Sequence, residues 1–149
     1  MSASVKTFIN PATRFSLQVA LLLILGVAPG VSQKTTAHDS SPKYDLQTET
    51  KVKGVVEEIN LVTFGTRKDF TELIVKSGDD DVHIYLCPKP FQEEVGISFS
   101  KDDQVAVTGS KVKQGTLDVI LARELVKGTD TVQFRDEKGK PVWDERTGK

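Results

Sequence analysis

The stretch Lys51-Val-Lys-Gly-Val-Val-Glu-Glu-Ile-Asn-Leu-Val-Thr63 decides the fold of this chain. Its apolar residues follow the two-residue period of a β-strand, but Val56 and Ile59 lie on opposite parities. A parity switch close to Gly54 is what a bulge or a bend at glycine produces. A long first strand that bends at a glycine can belong to two faces of one sheet, and this arrangement closes small barrels.

Four further segments alternate apolar and polar residues, with turn-forming residues between them. These predicted strands are Phe70 to Lys76, Val82 to Cys87, Gln104 to Val112 and Thr116 to Val126. The last strand is largely apolar on both faces, as expected of a strand that is buried on both sides. A final pair of segments, Thr131 to Phe134 and Pro141 to Trp143, flanks a turn and predicts a C-terminal hairpin.

A short helix is predicted between the third and fourth strands. Pro90 suits the first turn of a helix, Phe91 and Val95 have the i,i+4 spacing of one helical face, and Gly96 can end the helix. We expect both apolar side chains to anchor the helix over the open end of a barrel. The sequence therefore predicts an all-β fold, with five barrel strands, this helix and the terminal hairpin.

This order of elements resembles that of small bacterial periplasmic proteins with the oligonucleotide/oligosaccharide-binding (OB) fold. Besides the helix, the resemblance rests on the segments Lys51-Val-Lys-Gly-Val-Val56, Lys101-Asp-Asp-Gln-Val-Ala-Val-Thr-Gly109 and Phe134-Arg-Asp-Glu-Lys-Gly-Lys-Pro-Val-Trp143. It implies an OB-type barrel with its terminal hairpin over residues 50–149. Such proteins are often labelled as DNA-binding on the strength of the fold, although OB barrels serve many unrelated functions.

Residues 1–32 have the pattern of a secretory signal peptide. Lys6 and Arg14 precede an apolar run, residues 15–28, and small residues follow it. The run is shorter than the roughly 20 residues that a membrane-spanning helix needs. We therefore expect a periplasmic or secreted protein that meets the membrane only through its signal segment, before cleavage. The polar residues 33–49 are interpreted as a flexible leader.

Composition excludes several classes of protein. The chain has 149 residues, with 20 basic against 21 acidic side chains, and this balance argues against a protein that clamps a polyanion. A single cysteine excludes an intrachain disulfide framework, and two histidines exclude a histidine-rich metal site. We find no nucleophile elbow, phosphate-binding loop or Cys-x-x-Cys motif. We expect a binding protein without a cofactor rather than an enzyme.

The outward face of the second and third predicted strands is the candidate binding surface, because OB barrels usually bind there. By parity this face presents six side chains: Phe70, Glu72, Ile74, His83, Tyr85 and Cys87. The first five are the candidate ligand-binding residues, for an unidentified protein segment or small molecule, with stacking on Phe70 and Tyr85. Alternatively, the terminal hairpin with Trp143, or a second copy of the chain, covers this face.

Two other functions remain open. A single-stranded nucleic acid could bind through Phe64, Arg67 and Lys68, although the charge balance and the expected export disfavour it. Haem or metal carriage would use His83 or Cys87. These two residues cannot share one metal ion, because four strand positions separate them by roughly 13 Å.

Overall fold

The computed structural model describes residues 34–144, apart from the side chain of Lys68. Along this part of the chain the elements are β1 (Thr35–His38), β2 (Glu49–Phe64), β3 (Arg67–Ser77), β4 (Asp80–Pro88), α1 (Lys89–Val95), β5 (Gln104–Gln114), β6 (Leu117–Lys127) and β7 (Asp130–Gln133). A 3₁₀ turn, Leu46–Thr48, precedes β2. The predicted signal peptide, residues 1–32, and the last five residues of the predicted barrel domain lie outside the described residues.

The long strand β2 changes its pairing partner beside Gly54, and its register shifts between Val56 and Glu58. Its residues 49–55 pair with β5 and its residues 55–64 pair with β3, so Val55 lies at the point where the partner changes. A Cβ atom at the adjacent Gly54 would overlap the backbone carbonyl of Lys76 on β3. The two parts of the strand can approach their partners this closely because glycine has no side chain.

The remaining pairings close the strands into a ring. β3 pairs antiparallel with β4, β4 pairs parallel with β6, and β6 pairs antiparallel with β5, which returns to β2. The ring strands are the five predicted from the sequence, so the OB-type all-β fold is confirmed. The core between them is apolar, and its fully buried side chains include Val56, Leu73, Val75, Ile84, Leu86, Val107 and Leu125.

The helix α1 begins at Lys89, one residue before Pro90, and ends as predicted before Gly96, a left-handed cap at φ 73°. Phe91 is buried as expected. The expectation for Val95 is wrong, because 36% of this residue is exposed. One apolar anchor is enough for a helix of two turns. No helix within residues 34–144 is long and apolar enough to cross a membrane.

The segment expected to be a flexible leader contains the ordered strand β1. Thr35–His38 pairs in parallel with residues 61–64 of β2. Two backbone hydrogen bonds frame the strand: Leu61 N donates to the Lys34 carbonyl, and Gly65 N donates to the His38 carbonyl. β1 therefore supplies hydrogen-bond partners to residues 61–64, at the C-terminal end of β2.

The C-terminal segment also differs from a regular hairpin. β7 pairs with β6, and the expected second arm contributes a single bridge between Arg135 and Pro141. The turn between them is closed by Asp136, whose Oδ1 accepts hydrogen bonds from the backbone N–H groups of Lys138 and Lys140. Backbone hydrogen bonds from Asp136 N to the Lys140 carbonyl and from Gly139 N to the Asp136 carbonyl hold the same turn.

Candidate functional site

The outward face of β3 and β4 brings four of the five candidate ligand-binding residues into one cleft. Glu72 lies opposite Tyr85, and Ile74 lies opposite His83, because β3 and β4 are paired in that register. Directly opposed side chains on an antiparallel pair lie within contact distance. On the other side of β3, Asn60 of β2 lies opposite Glu72.

Glu72 is the centre of this arrangement. Its Oε1 lies 2.7 Å from His83 Nδ1, and its Oε2 accepts a hydrogen bond of 3.3 Å from Asn60 Nδ2. Only 5% of Glu72 is exposed. A carboxylate can be kept in such a place because neighbouring donors replace the water that burial removes.

Tyr85 and His38 close one side of the cleft. The Tyr85 hydroxyl lies 3.5 Å from His38 Nε2, which β1 brings to this face. Burial and, to a smaller extent, the charge of Glu72 raise the pKa of Tyr85 to about 12. Tyr85 therefore remains a protonated phenol at neutral pH and can act as a hydrogen-bond donor.

We call this feature the polar cleft and define it by His38, Asn60, Glu72, Ile74, His83 and Tyr85. Its volume is about 130 Å³. Glu58 and Lys34 also line it. Both histidines of the chain therefore lie at one site, although His38 comes from a segment in which we expected no order.

The aromatic side chains of this face are buried. Phe70 is 5% exposed and Tyr85 is 2% exposed. Trp143 packs on Phe70, with ring centroids 5.7 Å apart, and Phe64 contacts both Phe70 and Tyr85. His38 stacks on Phe64 from the other side. The two terminal segments thus cover the apolar part of the face, since burial there removes a large apolar area from water.

Cys87 lies on the same face and is fully buried. Burial raises the pKa of its thiol to about 12. A thiol in this environment is a poor nucleophile and a poor metal ligand, because both roles require the thiolate. Within residues 34–144, no group of three or more histidine, cysteine or acidic side chains is arranged to hold a metal ion.

The residues of the nucleic-acid alternative line a second cavity. Phe64 is buried, whereas Arg67 is exposed and forms an ion pair of 2.9 Å with Asp144. The side chain of Lys68 lies outside the described part of the chain. Phe64, Arg67 and Phe70 all line a cavity of about 490 Å³ that we call the basic pocket. Its other walls are residues 41–44 and 138–141, with Arg135 and Trp143.

Sequence reasoning missed three residues of these sites. Asn60 could have been noticed as a polar residue within an apolar strand, but its partner Glu72 depends on the strand register. His38 lies in a segment with no apolar periodicity. Arg135 lies in the terminal hairpin, and its burial gives no signal in the sequence.

Comparison with known proteins places the chain in a bacterial family. The model of the MamS/MamX magnetosome protein family matches residues 48–132, which is more than half of the chain. No curated protein matches the chain. Among solved structures, the S. pombe Stn1-ten1 complex is similar to 55% of this chain with a TM-score of 0.44 and 14% sequence identity. The match spans 59% of that protein's chain.

Proposed function

Because this chain belongs to the MamS/MamX magnetosome protein family, we propose that it is an exported, non-catalytic binding module of the magnetosome. In this proposal the module engages a segment of another protein through the polar cleft on β3 and β4. The observation that carries the proposal is the buried carboxylate of Glu72, which two strands hold at the base of a cleft on the usual binding face of the fold.

The size of the polar cleft favours a single side chain as its occupant. Small-molecule pockets have volumes of roughly 300–1,000 Å³, whereas this cleft has about 130 Å³. A partner segment lying across the face would therefore insert one residue. Ile74 would contact the aliphatic part of that residue, and the polar groups would bind its end.

The chemistry of the polar cleft favours a cationic side chain. Glu72 and Glu58 are acceptors in or beside the cleft, and Lys34 is the cation that lines it within the described part of the chain. Hydrogen bonds from a charged donor to a carboxylate are about twice as strong as neutral ones. We therefore propose lysine or arginine as the residue that the partner inserts.

A peptide library tests this function. We expect peptides selected against the purified protein to be enriched in lysine or arginine at one position, and to bind Glu72→Gln at least tenfold more weakly, since the acceptor charge is lost. Glu57→Gln is the matched control, because it removes a carboxylate from β2 that does not line the cleft and should retain binding. Equal binding by Glu72→Gln, with unchanged circular dichroism, would contradict the proposal.

A second measurement separates the nucleic-acid alternative. Binding of a single-stranded oligothymidylate through Phe64, Arg67 and Lys68 should weaken steeply with added salt, because phosphate contacts release counterions. We expect no such binding, since Phe64 is buried and its ring is already packed by His38 and Phe70. Tight, salt-sensitive binding of the oligonucleotide would replace our proposal with this alternative.

Export is tested by cell fractionation and mass spectrometry. We expect a chain shortened by cleavage near residue 32 in the periplasmic or secreted fraction. A full-length chain in the cytosol would contradict this part of the proposal.

A further inference from the structure

The basic pocket collects positive charge in a protein whose total charge is close to neutral. Among residues 34–144, five cations line it, namely Lys43, Arg67, Arg135, Lys138 and Lys140, against one acidic residue, Asp144. The formal net charge of the whole chain is -1. The excess of cations at one concave site is therefore a local feature and not a consequence of composition.

Arg135 is the buried member of this set, with 9% of its surface exposed. Within residues 34–144 no carboxylate lies within ion-pair distance of its guanidinium, since Asp144 pairs with Arg67 instead. Its Nη1 donates to the Gly139 carbonyl at 2.9 Å, but its Nε, also buried, has no hydrogen-bond partner in the described part of the chain. A buried charge that lacks a counterion is costly.

Two aromatic rings hold the guanidinium of Arg135 in place. Its central carbon lies 5.3 Å from the ring centroid of Tyr44 and 5.2 Å from that of Trp143. Contacts of this kind restrict the position of the guanidinium, whose N–H groups can still donate hydrogen bonds. A guanidinium edge matches the two oxygens of a carboxylate or phosphate group.

The electrostatics agree with a missing anion. Burial is the main reason that the pKa of Arg135 is lowered to about 10; Tyr44 and the carboxylate of Asp144 oppose this shift, and the charge of Arg67 adds to it. The group is still protonated at neutral pH, so the site carries an incompletely compensated positive charge there.

We propose that the basic pocket binds a small molecule carrying two or more oxyanion groups, with Arg135 as the anchor and Arg67 and Lys138 at the rim. A cavity of about 490 Å³ lies within the range of small-molecule sites. Several cations and one acidic residue line the pocket within residues 34–144, and this excess of positive charge suits a ligand with more than one negative charge. This site is separate in its residues from the polar cleft, and it does not depend on the function proposed for that cleft.

The test uses pyrophosphate and tricarballylate as probes, at constant ionic strength, with calorimetry on the purified protein. We expect saturable binding of at least one probe, and a melting temperature that rises with its concentration because the ligand binds the native state. Arg135→Met retains an unbranched side chain between the two rings and should weaken binding at least tenfold. Lys138→Gln should weaken binding twofold to fivefold. Lys101→Gln, a charge-matched change that does not line the pocket, should have no effect.

A measurement on the unmodified protein keeps the proposal testable if Arg135→Met does not fold. The Nε–H resonance of Arg135 in a nitrogen–proton correlation spectrum should move on titration with the anion, since an anion bound to the guanidinium changes the electrostatic environment of this proton. A purely structural Arg135 would show no shift and no difference in probe binding among the variants, and that result would overturn the proposal. Glu72→Gln should bind the probes like the unmodified protein, so failure of this site and failure of the polar cleft are distinguishable.

Discussion

Glu72 shows how one residue can be both structural and available for binding. Asn60 and Tyr85 lie opposite it on the two flanking strands, and Asn60 and His83 provide hydrogen-bond contacts on its two oxygens. An ionised carboxylate without such partners would be costly at this depth. The position is therefore specified by three strands together, β2, β3 and β4.

Cys87 and Tyr85 make the stability of the protein depend on pH above pH 9. Burial raises the pKa of the Cys87 thiol from 9.0 to about 12 and that of the Tyr85 phenol from 10.0 to about 12. The unfolded chain releases these protons first, so the native state holds more protons and its stability falls as the pH rises. We expect the free energy of unfolding in urea to decrease between pH 9 and pH 12.

Cys87→Ala is the control for this pH dependence. Between pH 9 and pH 12 the free energy of unfolding should decrease less in this variant than in the unmodified protein, because alanine has no proton to release. Its free energy of unfolding at pH 7 should also be lower, because packing is lost. An identical slope in the variant and the unmodified protein would mean that the thiol titrates normally in the native state.

The strand β2 depends on one glycine to serve two partners. A side chain at Gly54 would overlap Lys76 of β3 and the side chain of Val75. We expect Gly54→Val to lower the free energy of unfolding by more than about 1 kcal/mol, since the backbone of two strands must move to admit it. Urea unfolding followed by circular dichroism measures the change.

Lys51→Val is the matched control within β2, because Lys51 is exposed and lies near Gly54 on the same strand. It should change stability by no more than about 0.5 kcal/mol. A neutral result for Gly54→Val would show that β2 does not bend at this glycine.

Trp143 joins the end of the described chain to the barrel face. It is 3% exposed and contacts Phe70, Phe91 and Arg135. We expect Trp143→Ala to cost about 3–5 kcal/mol, the usual range for removing a large buried aromatic side chain. The loss is measured by urea unfolding followed by circular dichroism, because Trp143 is the single tryptophan of the chain and its fluorescence disappears with it.

Phe99→Ala is the control for Trp143, since Phe99 is only partly buried beside the core. Phe99→Ala should lower the free energy of unfolding clearly less than Trp143→Ala does. A loss below about 1 kcal/mol for Trp143→Ala would show that the C-terminal segment does not cover the face of β3 and β4 in solution.

The five ring strands, the helix α1 and the importance of Gly54 for the pairing of β2 could be predicted from the sequence. These features follow from local properties: alternation of apolar residues, turn residues between strands, and a proline and a glycine at the ends of one helix. Parity also placed Glu72, Ile74, His83 and Tyr85 on one face, because side chains alternate along any strand.

Only the tertiary structure decided what surrounds these residues. Asn60 meets Glu72 through the register of two strands, and register is not visible in either strand alone. Phe70 and Tyr85 are buried because distant segments, β1 and residues 134–143, pack over them and their neighbours. The burial of Arg135 has the same origin. Contacts between segments far apart in the chain depend on which apolar surfaces the whole molecule buries. A local sequence pattern does not contain that information.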